Sequence, residues 1–107
     1  MTLREQVFRK MGYVRKDDGH KIFWSHPDLA YGENKLFLEP LPNIDSQWEV
    51  CAKYLVPFMR DKMEMSYNIY ASIFLWVDCD GDTVSSIEIK DDNIAKAACE
   101  AFMEIKL

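Results

Sequence analysis

Between Met65 and Val77 the side chains change character at every second position, and that period belongs to an extended strand. Tyr67, Ile69, Ala71, Ile73, Leu75 and Val77 share one face of such a strand. Ser66, Asn68, Tyr70, Ser72, Phe74 and Trp76 share the other. The first set is expected to be the core face. The second, polar at its start and aromatic at its end, reads as half open near Ser66 and covered near Trp76. Asp78-Cys79-Asp80-Gly81-Asp82 turns the chain, and Thr83 to Lys90 returns as an antiparallel partner carrying Val84, Ile87 and Ile89. Strict alternation would put Val84 and Ile87 on opposite faces, so a bulge is expected around Ser85-Ser86.

Helices flank this hairpin. Upstream, Ser46-Gln47-Trp48-Glu49 has capping-box spacing, with Ile44 placed as a staple to Val50. Val50, Cys51, Tyr54, Leu55, Phe58 and Met59 then follow the three-and-four spacing of a buried stripe. Pro57 conflicts with that stripe and predicts a kink or break near Leu55. Downstream, Asp91, Asp92 and Asn93 cap a final helix whose buried stripe is Ile94, Ala97, Ala98, Ala101, Phe102 and Ile105. Its small alanines predict close approach to a sheet or to another helix.

The N-terminal third is shorter in its elements. Thr2 to Glu5 forms another capping box, Leu3, Val7 and Met11 make one apolar stripe, and Gly12 stops the helix. Tyr13-Val14 and Ile22-Phe23-Trp24 read as two strands split by the turn Lys16-Asp17-Asp18-Gly19. Ser25-His26-Pro27-Asp28 and Tyr31-Gly32-Glu33-Asn34 are turn-rich, and Leu36-Phe37-Leu38 reads as a third strand. Pro40 and Pro42 stiffen the passage into the second helix. The 107 residues suit one domain with its own core. The expected fold is α+β over residues 1–107, a mainly antiparallel sheet with helices packed on it, stacked as a three-layer α/β/α sandwich.

Charge and cysteine usage narrow the function classes. Thirteen Lys and Arg against eighteen Asp and Glu give a net charge of −5, which weighs against a phosphate-backbone binder and hence against a nucleic-acid partner. An odd set of three cysteines, Cys51, Cys79 and Cys99, is a poor disulfide framework and fits a reducing, cytoplasmic setting. The longest apolar run, Ile73 to Val77, falls far short of the ~20 residues that span a bilayer, so no membrane partner is expected.

Leu41-Pro42-Asn43-Ile44-Asp45-Ser46, leading into a helix with Trp48, resembles the Pro-Asp-Tyr-Ser-Thr-Asp segment of the small phage-encoded "ABA sandwich" domain family. Met11-Gly12-Tyr13 is similar to that family's Met-Gly-Trp opening. The closing helix from Ile94 to Ala101 is similar to its Ala-rich last helix. The sequence departs from the pattern at Gln47, where the family often has Thr, and at Lys90-Asp91-Asp92, where it has an acidic-Thr-Pro lead. The resemblance implies a phage or prophage origin and an α/β/α-layered domain of unknown function. It implies no catalytic residues.

Candidate chemistry is sparse. Asp78, Asp80 and Asp82 have the carboxylates for an oxygen-loving cation, but Gly81 stands before the third Asp and Ile89 occupies the twelfth position, where an EF-hand has Glu. A solvated turn is the expected reading, and no metal or cofactor is assigned. His20 and His26 lack a second ligand pair at short spacing, and Ser25, His26 and Asp28 point apart on an extended chain stiffened by Pro27. A loop site around His20 to Asp28 is the alternative, as a small enzyme or ligand-binding protein. The leading expectation is a non-enzymatic protein-interaction module. Its surface would be built from Tyr70, Phe74, Trp76, Asp80 and Asp82, and its partner would be a host or phage protein, with a homodimer as a further option.

Overall fold

The computed structural model describes residues 1–28 and 36–106, which form two compact units, residues 1–42 and 43–107. The expected turn at Tyr31 to Asn34 lies outside the described residues.

In the first unit, α1 (Leu3–Lys10) begins as its capping chemistry requires: the Thr2 hydroxyl accepts the Glu5 amide at 3.2 Å. The helix stops at Gly12, whose φ of 109° lets the Tyr13 amide turn back to the Phe8 carbonyl. Three strands follow, β1 (Val14–Asp17), β2 (Ile22–Ser25) and β3 (Leu36–Leu38), in the antiparallel order β1-β2-β3. The turn between the first two is closed by Asp18, whose Oδ1 accepts the amides of His20 and Lys21. The core is aromatic. Phe8, Tyr13 and Phe37 meet at ring separations of 5.3–5.4 Å, and the Arg9 guanidinium lies 5.0 Å over the buried Trp24 ring.

The second unit holds α2 (Trp48–Lys62), β4 (Ser66–Tyr70), β5 (Ile73–Val77), β6 (Thr83–Glu88) and α3 (Ile94–Glu104), with an antiparallel sheet in the order β4-β5-β6. Of the kink or break expected near Leu55, the break does not occur: α2 runs unbroken through Pro57. Lys53, whose carbonyl loses its amide partner there, is exposed, so water can take the place of the missing bond. The expected capping box at Ser46 does not form: a turn at Asn43 to Gln47 moves the start of α2 to Trp48, with Gln47 as an N-cap that makes no side-chain bond. At α3 the cap is as expected, with Asn93 Oδ1 accepting the Lys96 amide at 3.0 Å.

The α+β class therefore holds, with antiparallel strands and helices packed on them. The strands are divided between two sheets, each three strands wide. In the second unit both helices cover the same sheet face. Trp48 of α2 meets Tyr67 and Phe74, Trp76 donates to the Ala98 carbonyl of α3, and Phe58 of α2 meets Phe102 of α3. This unit is thus one helical layer on one sheet, where the sequence predicts helices on both sides.

Candidate functional site

The geometry of the β4–β5 connection decides which side chains reach the surface. The segment expected as one strand is a hairpin, with Tyr70 paired to Ile73 across a two-residue turn at Ala71-Ser72. Both turn residues are left-handed, with φ of 50° and 64°, the backbone of a type I′ turn. Cross-strand partners share a face, so the parity of the chain reverses at this turn. Tyr67 and Ile69 stand beside Trp76 and Phe74, whereas Asn68 and Tyr70 stand beside Leu75 and Ile73.

The expected core and surface of β5 are therefore exchanged. Phe74 and Trp76, expected on an interaction surface, are fully buried under the helices, with ring centroids 5.0 Å apart, and the rings of Trp48 and the exposed Tyr67 pack against them. Ile73, Leu75 and Val77, expected in the core, lie on the opposite face. Tyr70 keeps its expected place outside and is 74% exposed. On that outer face Ile73 is 38% exposed, and Leu75 and Val77 are half-buried. Val84 is the extra residue of a bulge, because Val77 pairs with Thr83 while Trp76 pairs with Ser85. The bulge falls one residue before the expected position. The missed signal was length: ordinary strands run about 5–6 residues, and Ala71-Ser72 is the one place in the run where two small residues adjoin.

The acidic turn is organised by its own backbone. Asp78 Oδ1 accepts the amides of Asp80 at 3.0 Å and Asp82 at 2.9 Å, and Gly81 supplies a φ of 84°. Asp80, Asp82 and Cys79 are exposed. No group of three or more His, Cys, Asp or Glu among the described residues is arranged to hold a metal ion. Asp80 and Asp82 thus sit at the end of the hairpin opposite Tyr70, and the structure does not bring them to that residue.

The loop alternative around His20 to Asp28 does not assemble into a site. His20 is exposed in the β1–β2 turn. His26 is buried, its Nε2 lies 2.8 Å from the Met11 carbonyl, and its Nδ1 accepts the Asp28 amide at 3.1 Å. An Nδ1 that accepts leaves the proton on Nε2, where it is donated to Met11. Both ring nitrogens are thereby engaged with backbone, and Ser25 is no partner to either.

One open groove of about 360 Å³ lies beside the start of α3. Glu88, Lys90, Asp91, Lys96 and Glu100 line it, so charges of both signs are present. Such a lining presents no single field to a charged ligand. No protein-family model matches the chain, and no curated protein or solved structure is significantly similar to it.

Proposed function

We propose that this chain is a non-enzymatic protein-interaction module acting in the cytoplasm, and that it meets its partner with the outer face of β4, β5 and β6. The observation that carries the reading is the apolar content of that face. Tyr70 and Ile73 stand exposed on the side of the sheet away from α2 and α3, with Leu75 and Val77 half-exposed beside them. Grouped apolar side chains at a surface cost solvation free energy unless something covers them, at about 25 cal/mol per Å². Cys51, Cys79 and Cys99 form no disulfide, which fits a reducing setting. The resemblance to phage sandwich domains points to a host or phage protein as the partner.

The test compares tagged wild-type protein with Ile73→Glu in quantitative capture from host lysate, with and without phage infection. Any captured protein is then purified and titrated against both forms. Val14→Glu, on the exposed strand β1 of the other unit, serves as the control. The reading expects binding that is lost with Ile73→Glu and kept with Val14→Glu while circular dichroism stays unchanged. Equal binding by Ile73→Glu overturns it.

A further inference from the structure

A sheet edge exposes a row of unpaired N–H and C=O groups, and folded proteins blunt such edges with charges, brevity, proline or a bulge. Among the described residues three of the four sheet edges carry such a device. Strand β1 is charged at Arg15, Lys16 and Asp17. Strand β3 is three residues long and is followed by Pro40 and Pro42. Strand β6 is bulged at Val84 and ends on Glu88. Strand β4, Ser66-Tyr67-Asn68-Ile69-Tyr70, has no charge, no proline and no bulge, and every residue in it is exposed. The whole run from Met65 to Val77 is uncharged, in a chain of net charge −5.

The hairpin register fixes which of its backbone groups face outward. In a two-residue hairpin the closing residues, here Tyr70 and Ile73, exchange hydrogen bonds, so Tyr70, Asn68 and Ser66 turn their backbone groups toward β5. Tyr67 and Ile69 turn theirs away from it. We infer that β4 pairs antiparallel with β4 of a second copy of this chain, about a two-fold axis at Asn68, and joins two three-stranded sheets into one.

Only this register uses all the outward groups. It sets Tyr67 opposite Ile69 of the second copy, and the reverse, as aromatic and β-branched pairs that exchange N–H···O bonds. A shift one way would need the Met65 amide, which is already given to the Met59 carbonyl at 2.9 Å. A shift the other way would need Ala71, which is inside the turn. The Ile69 amide, held by Asn68 Oδ1 at 2.9 Å in the single chain, passes to the facing carbonyl, and the two Asn68 side chains meet at the axis. Electrostatics favours the same occupant. Two copies that each carry −5 can approach most closely where neither is charged, and the register sets uncharged residues against uncharged residues along the whole strand. This inference uses the sheet edge and stands apart from the outer-face reading.

The test is light scattering or sedimentation of the full chain from micromolar to roughly millimolar concentration. Wild-type protein is expected to show a concentration-dependent dimer. Asn68→Lys and Asn68→Asp, both at an exposed position, are each expected to weaken it at least tenfold, because like charges then meet at the axis. An equimolar mixture of the two variants is expected to restore the dimer, an effect that general destabilisation would not produce. Ile73→Glu, the outer-face variant, is expected to leave the dimer in place, so the two readings fail separately. A wild-type monomer throughout the range overturns the inference, including one that instead binds an extended peptide. So does a dimer insensitive to both Asn68 variants, or a mixture that fails to restore it.

Discussion

Trp76 and Ser85 face each other across β5 and β6, and each donates a hydrogen bond to a backbone carbonyl of the helix above them. The Trp76 indole reaches Ala98 at 3.0 Å and the Ser85 hydroxyl reaches Ala101 at 2.8 Å. Ala98 and Ala101 are fully buried, and the absence of longer side chains there lets the strand side chains reach the helix backbone. Ala101 lies in the last turn of α3, where carbonyls run short of intrahelical amides. The sheet thus supplies polar partners to its own helix as well as an apolar floor.

That relationship predicts graded losses. Ser85→Ala removes one buried hydrogen bond with little change in volume and should cost about 1–2 kcal/mol. Trp76→Phe removes the second bond and part of a large ring, and should cost about 2–4 kcal/mol. Urea unfolding of the two variants checks this. Because the residues are neighbours, the double variant should depart from simple additivity by more than about 0.5 kcal/mol.

At Gly12 two constraints coincide. Its φ of 109° is unfavourable for any L side chain, and a Cβ there would stand 2.5 Å from His26 Nε2. Gly12→Ala must therefore strain the backbone and displace His26 from the Met11 carbonyl. A loss above about 2 kcal/mol is expected. Gly19→Ala is the matched control, since Gly19 has a φ of 87° but nothing within 4 Å of the added carbon. It should lose only about 1 kcal/mol, the conformational part alone. Thermal melts that rank the two equally would remove the role assigned to His26.

The Ala71-Ser72 turn offers a gain. Type I′ turns favour Asn-Gly because both positions are left-handed, and Ala and Ser hold that conformation at a cost. Replacing the pair through Ala71→Asn and Ser72→Gly should stabilise the hairpin by about 0.5–1 kcal/mol without moving Tyr70 or Ile73. The midpoint of urea unfolding should rise at unchanged slope.

The same turn explains how much of this molecule was legible. Elements with strong local chemistry can be read directly: Thr2 and Asn93 cap their helices, and the stripe of α3 is buried from Ala97 to Ile105, whereas the β1–β2 turn comes two residues later than Lys16-Asp17-Asp18-Gly19, because Lys16 and Asp17 pair with Phe23 and Ile22. Ala and Ser are not ordinary turn residues, so the alternation through Met65 to Val77 hid a hairpin. One unrecognised two-residue turn then exchanged the two faces of β5. The candidate surface is the least legible part, since parity alone places Phe74 and Trp76 on it, and their burial depends on which face α2 and α3 cover. Ser46 lost its capping role for a similar reason. The turn that opens at Asn43 is set by backbone bonds, which a side-chain pattern does not record.

Glu39 links acid stability to the first unit. Its Oε1 accepts the Trp24 indole at 2.9 Å and Arg15 Nε at 3.0 Å, and these bonds, the indole's first, hold the carboxyl below its ordinary range. Asp18 is lowered as well, by the amides of Lys21 and His20. A carboxyl whose pKa is depressed by folding contributes stability that is complete above its unfolded value and is lost as pH falls through its folded value. The melting temperature of the wild type should therefore decline as the pH drops below about 4, and Glu39→Gln should flatten part of that decline while Asp18 and Asp61, the latter lowered by its bond from Arg60, maintain a share of it. The Trp24 indole N–H resonance should titrate in the wild type with a midpoint below that of an ordinary glutamate, and it should be silent over the same range in Glu39→Gln. An indole resonance that does not respond to acid would show that the carboxylate is not the group that Trp24 holds.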